Sequence, residues 1–326
     1  MNIADTEDLY NAGLLTEEER ETLKTSAERP LLSVFWELRT LLYLGILLLT
    51  GGLGVWVYKN IDAIGHQTVI AAIGIVCAAC FGYCIKKSSG YSNKKVESAG
   101  IFYDYILLLG CLLLLTFLAY LQYVYNVFGN RWGMATFIPM VILFVSAYYF
   151  DHLGVLSLAV TNLAAWLGIT VTPLQLLSAN DFDDARLIYS GIALGVALIA
   201  VAIVSKRKNI KAHFAFTYKN FGVHLTLVSL LAAMFHFDHI YFLIFLIVIA
   251  ACYYVFWIAL KEKSFYFTAV ALLYAYVALS SVIVLMMISF NFGDFTLLAF
   301  YFIASAVALI LALIHYNKIL KQKNEP

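Results

Sequence analysis

Charge is what this sequence most conspicuously lacks. Asp, Glu, Lys and Arg make up 13% of its 326 residues, while 63% are hydrophobic; a soluble domain is about a quarter charged and about half apolar. With a mean hydropathy of +0.86, the chain reads as an integral membrane protein. The alternating apolar and polar pattern of an outer-membrane barrel is missing, which leaves helices as the way to satisfy the backbone in lipid. No Gly-x-Ser-x-Gly, His-Glu-x-x-His or phosphate-cradling glycine loop occurs, so no standard catalytic motif is present, and nothing calls for a cofactor. The five cysteines, Cys77, Cys80, Cys84, Cys111 and Cys252, all fall within or at the end of apolar runs. None sits where an outer disulfide framework needs it.

What is present is a series of apolar runs, each near the roughly 20 residues needed to cross the hydrocarbon. The runs lie near 38–58, 68–85, 104–124, 134–150, 153–171, 187–204, 220–236, 240–260, 265–288 and 295–316. The expected fold is all-α: a polytopic bundle of about ten transmembrane helices. Residues 1–37 precede it as a cytoplasmic helical hairpin and interfacial segment, 38–316 form the transmembrane domain, and 317–326 are a cytoplasmic tail. With eight acids in the first 28 residues, the start of the chain does not read as a cleavable signal peptide.

The basic residues orient the bundle. With the N-terminus cytoplasmic, 18 of the 21 Lys and Arg lie on the inside, and only Lys59, Arg131 and Arg186 on the outside. That is the bias of the positive-inside rule, and an even number of spans keeps both termini cytoplasmic. The inner loops suit anionic lipid headgroups. Topology accounts for the lysines, so they imply no nucleic-acid partner.

Within the N-terminal segment "NIADTEDLYNAGLLTEEERETLKTSAERP", Gly13 reads as the end of a first short helix. "TEEE" reads as a capping box with Thr16 at the cap and Glu19 at the third helical position, and Pro30 ends the second helix. Further on, "NAGLLTEEERETL", "YLGILLLTGGLGVWVYKNID" and "LLLGCLLLLTFLAYLQYVYNVFGN" resemble the bacterial predicted-membrane-protein family known as domain of unknown function 2157 (DUF2157). In that family a short helical segment precedes several hairpins, and a Gln-x-x-Tyr-Asn element followed by Gly closes an early helix; Gln122, Tyr125, Asn126 and Gly129 match it. The resemblance covers about the first half of the chain. It implies a fold and a place in the bacterial inner membrane, and no activity.

Polar residues inside or at the ends of spans are the candidate functional positions. Gln122, Tyr125 and Asn126 share one helical face by their i, i+3, i+4 spacing, and together with Asn162 in the fifth span they form the candidate ligand-binding set. Anchoring of the span at the outer interface is the plainer reading of the tyrosines. His236, Asp238 and His239, in a tight outer turn, are weak candidates for a metal site, with Asp181, Asp183 and Asp184 on another outer loop. Asp183 and Asp184 also suit a helix N-terminus. Asp104 is placed to cap its helix and His224 to bond a neighbouring one. Cys77, Cys80 and Cys84 share a face, more simply as packing than as metal ligands. Tight packing is expected at Gly51, Gly52 and Gly54, at Gly191 and Gly195, and along Ala304, Ala308 and Ala312. "LGILLLT" and "LGCLLLLT" hint at a repeated hairpin, echoed by Asn291 and Gly293 late in the chain.

Three classes of function are compatible with these features. A permease or flippase-like protein for a small or amphipathic substrate leads, because many helices with an aromatic rim suit a cavity between them. A non-catalytic scaffold or accessory subunit, binding a protein partner through the N-terminal hairpin, follows because buried charge is scarce. An intramembrane enzyme comes third.

Overall fold

The computed structural model describes residues 64–88, 90–171, 184–290 and 295–322, with positions 10, 13, 15–21, 48, 52, 55 and 59. The expected first span, most of the hairpin, Asp181, Asp183, Gly51, Gly54, Asn291 and Gly293 lie outside the described residues. The chain divides into two units, Met1–Thr68 and Val69–Pro326.

In the first unit the described residues form the expected cap. The Thr16 N–H and hydroxyl both donate to Glu19 Oε2, at 3.0 and 2.8 Å, which holds the Glu19 carboxyl below its ordinary range, chiefly through the backbone bond. Gly13 takes the left-handed conformation expected at a helix end, with φ +73°, and its N–H donates to the Tyr10 carbonyl at 3.0 Å.

The rest of the described chain is helical: α1 His66–Lys87, α2 Ile101–Tyr125, α3 Trp132–Phe150, α4 Leu153–Val171, α5 Ala185–Lys208, α6 Ala215–His236, α7 Tyr241–Lys261, α8 Phe265–Ser289 and α9 Phe295–Gln322. Single-turn 3-10 segments, Ala212–Phe214 and Asp238–Ile240, lead into α6 and α7. Eight helices among the described residues are long and apolar enough to span a membrane. The exception is α6, which has 22 residues but carries Lys219, Asn220, His224 and two buried hydroxyl residues, Thr217 and Ser229. It packs against α4, α5 and α7, so protein shelters what lipid would not.

The helices pair as successive hairpins because short polar breaks end each apolar run. Asn126, Asp151 and Asn209 terminate α2, α3 and α5 in the left-handed conformation, one that Asn and Asp tolerate better than bulkier residues. Asp184 caps α5 by accepting from the Arg186 N–H at 2.7 Å. Asp104 does not cap α2: the cap residue is Gly100. The Asp104 carboxylate instead accepts from the Ser98 hydroxyl at 2.6 Å and lies 3.7 Å from His152.

The closest helix contact is α5 on α6. A Cβ at Gly195 would meet the Thr226 backbone nitrogen at 2.7 Å and the Gly222 carbonyl at 2.9 Å, so the two backbones touch through glycine, as the spacing of Gly191 and Gly195 predicts. The cysteine face of α1 packs on α2, where Cys77 Sγ donates to the Gly110 carbonyl at 3.4 Å. All five cysteines are free and buried. The alanine stripe of α9 behaves otherwise: Ala304 and Ala308 are exposed. Contact with α8 is made by hydroxyls, Tyr301 to Ser280 at 2.9 Å and Tyr276 to Ser305 at 3.0 Å.

Candidate functional site

The polar end of α2 is a folded turn. Gln122 is buried, and its side chain bonds the segment that follows it. Its amide nitrogen donates to Asn126 Oδ1 at 2.9 Å and the Gly129 carbonyl at 3.0 Å, and its amide oxygen accepts from the Phe128 N–H at 2.9 Å. The sequence pairing of Gln122 with Asn126 is therefore real in space, while Tyr125 is 46% exposed. Gly129, with φ +55°, closes the loop against this amide.

Asn162 stands elsewhere, on α4, where its Nδ2 donates to the Thr136 carbonyl of α3 at 2.7 Å. Pro139 lies in the same stretch of α3. Proline removes the donor to the carbonyl four residues before it, here that of Ala135, so the Asn162 bond to Thr136 is an interhelical contact in its own right. His236, Asp238 and His239 line a shallow cavity at the α6–α7 turn. Among the described residues no three His, Cys, Asp or Glu side chains approach as a metal ion requires.

The principal polar constellation is one the sequence did not single out. Asp151, at the end of α3, has 1% of its side chain exposed, and Lys211 has 0%. Lys211 Nζ lies 2.8 Å from Asp151 Oδ1, and His213 Nε2 lies 2.7 Å from the same oxygen. The second carboxylate oxygen accepts from the Val96 backbone N–H at 2.5 Å. Burial alone raises the Asp151 pKa, but the bonds from Lys211, Val96 and His213 outweigh it and hold the carboxyl below its ordinary range. An ionised carboxylate only accepts, so His213 Nε2 carries a proton. Lys211 itself has a left-handed backbone, φ +48°, pinned by its N–H to the Asn93 carbonyl at 2.9 Å. The Tyr91 and Phe214 rings flank its ammonium, at 5.5 and 5.8 Å.

This knot ties together the α1–α2 connection, the α3–α4 turn and the α5–α6 connection. Glu262, at the α7–α8 turn, pairs with Lys219 and, at 3.8 Å, with Lys206. Four segments on one side of the sequence-derived topology thus gather at one end of the bundle, the basic end. No signal separated Lys211 from Lys208 in "SKRKNIKAHF", since both count toward the basic loop. "FDHLG" gave a weak one, an Asp–His pair between two apolar runs.

Beside the knot lies a cavity of about 360 Å³ between α5, α6 and α7. Its wall includes Ile199, Ile203, Phe216 and Ile258, and its polar edge holds Lys206, Lys219, Glu262 and His213. A second polar network runs deeper along α6. His224 bonds the Tyr274 and Tyr266 hydroxyls, each at 3.0 Å, and Tyr266 donates to Asn220 at 2.7 Å. The expected bond from His224 to a neighbouring helix is thus made, to α8.

Residues 7–156 match the family model described as predicted membrane protein (DUF2157). The match ends in the first turn of α4, so Asp151 lies inside it, whereas Lys211, His213 and the cavity lie beyond it. No curated protein and no solved structure matches the chain.

Proposed function

We propose that this chain, whose first half is a DUF2157 membrane segment, is a permease or flippase-like carrier for an amphipathic substrate in a bacterial inner membrane. The observation that carries the proposal is the cavity between α5, α6 and α7, which combines an apolar wall with a charged edge. A site that places hydrocarbon beside fixed charge suits a molecule with the same division. Ten crossings, counting 38–58 and α6, with both termini on the basic, cytoplasmic side, belong to this proposal. The 18-to-3 division of basic residues supports that orientation.

The test is reconstitution of the purified full chain into liposomes carrying fluorescent anionic, zwitterionic or cationic amphiphiles, with an impermeant quencher added outside. The carrier should speed exposure of at least one class to the quencher above protein-free liposomes, and Ile203→Trp, which fills the cavity, should slow it. Identical kinetics with and without protein for every class would remove the proposal.

A second reading rests on the N-terminal segment, where the Thr16–Glu19 cap and the Tyr10–Glu17 hydrogen bond support an ordered surface for a protein partner. Deleting residues 1–30 separates the two: a scaffold loses its partner, and a carrier keeps its transport.

A further inference from the structure

We infer that the cavity seats an anionic glycerophospholipid from the leaflet at the basic end, with its phosphate between Lys206 and Lys219 and an acyl chain along Ile199, Ile203 and Ile258. This names the substrate class of the carrier proposed above, and it rests on that reading for movement of the lipid, though not for its binding.

The depth of the cavity is marked by side chains outside it. On α7, Lys261 Nζ lies 3.3 Å from the centre of the Trp257 ring, and on α1 Lys87 Nζ lies 5.1 Å from that of Tyr83. Aromatic rings beside lysines are characteristic of the level where headgroups meet acyl chains. Lys206 is in the last turn of α5, at the same end. From Lys206 back to Ile199 the helix descends about 10 Å at 1.5 Å per residue, so the apolar wall lies at acyl-chain depth.

Charge selects the headgroup. Lys206 and Lys219 share the single carboxylate of Glu262, which leaves one unit of positive charge at the edge, next to the His213 ring. Lys206 is 72% exposed and reaches the cavity edge on a flexible stem. A phosphodiester with a further anionic or neutral polar group completes the charge balance, whereas a choline headgroup would bring a cation against two ammonium groups. The wall is also open in the way a lipid requires. Ile203 is 46% and Phe216 56% exposed, so an acyl chain enters sideways from the bilayer without passing through water.

Native mass spectrometry of the purified full chain, titrated with phosphatidylglycerol, phosphatidylcholine or inorganic phosphate, tests this. Phosphatidylglycerol should bind about fivefold more tightly than phosphatidylcholine, the size expected from one net positive charge at a headgroup. Lys206→Gln alone, at an exposed position, should remove most of that preference, and Lys206→Gln with Lys219→Gln, which leaves the Glu262 carboxylate alone at the edge, should abolish or reverse it. Ile203→Trp should weaken both lipids alike. Equal binding of the two lipids, a preference that survives in the double variant, inorganic phosphate displacing the lipid, or a second copy of the chain occupying the site in place of lipid would each overturn the inference. Selective binding without movement in liposomes would remove the carrier reading and leave the lipid site. Movement of amphiphiles with no anionic preference in binding would do the reverse.

Discussion

Lys211 and Asp151 meet at 2.8 Å with 0% and 1% of their side chains exposed, sixty residues apart in the chain and joined across two connections. Removing one partner strands the other as a buried charge, which costs about 3 to 5 kcal/mol, whereas replacing both with apolar groups is often nearly neutral. Asp151→Asn should therefore lower the melting temperature of the detergent-solubilised protein strongly, and Asp151→Leu with Lys211→Met should recover much of the loss. Thermal unfolding followed by circular dichroism would check this; a single variant as stable as the wild type would show that the pair holds nothing together.

The same carboxylate gives stability a pH dependence. Its folded pKa lies below the ordinary value of 3.8, so its contribution is complete above that value and is lost as pH falls through the lower, folded one. His152, in the same turn, accepts from the Val155 N–H at 3.1 Å. Burial lowers its pKa below 6.5, against the opposing pull of Asp104. The unfolded state then binds the proton first, and stability falls as pH drops from above 6.5 toward the folded value. His152→Asn, able to cap α4 without titrating, should flatten the melting-temperature profile around that pH and leave the acid limb due to Asp151.

At the other end of the bundle, Gln122→Leu leaves the Phe128 N–H and the Gly129 carbonyl without their side-chain partner, at about 1 to 3 kcal/mol. The turn should loosen while the helices stay intact. Hydrogen exchange at 126–131 should rise in the variant with α3 and α4 unchanged, and an unaltered turn would contradict the clamp.

Between α5 and α6 the glycines differ in kind. A Cβ at Gly195 meets backbone atoms, whereas at Gly191 its nearest neighbour is the Ser229 hydroxyl, at 2.3 Å, which can rotate. Gly195→Ala should sharply reduce folded yield, and Gly191→Ala should cost less. The comparison is read from size-exclusion profiles of the two variants, and equal damage would refute it.

The apolar runs made the helices legible because span length is set by the bilayer; most expected limits fall within four residues of those observed, but α6 begins five residues early and α9 runs six residues further, where polar and basic residues extend the helix beyond the apolar run. Glycine spacing revealed the α5–α6 contact for a similar reason, since close backbones leave no room for a Cβ. Gln122 was legible as a buried amide but not in its bonding, because its partners are backbone groups of a turn whose path no periodicity encodes. Asn162 reads as a polar residue at mid-span, and its bond to the Thr136 carbonyl of α3 was not legible because sequence order does not say which helix faces meet. The Asp151–Lys211–His213 knot was hidden because it joins three connections, and sequence order says nothing about which loops meet. The pairing of Glu262 with Lys206 and Lys219 was hidden for the same reason, since it joins the α7–α8 turn to two other helices.

The most direct measurement is a cryo-electron microscopy map of the full chain in nanodiscs containing phosphatidylglycerol and phosphatidylcholine. The account predicts elongated density between α5, α6 and α7, its head end between Lys206 and Lys219 and its tail along Ile199 and Ile203. A cavity collapsed onto its own side chains, or filled by a helix of a second copy, would contradict it.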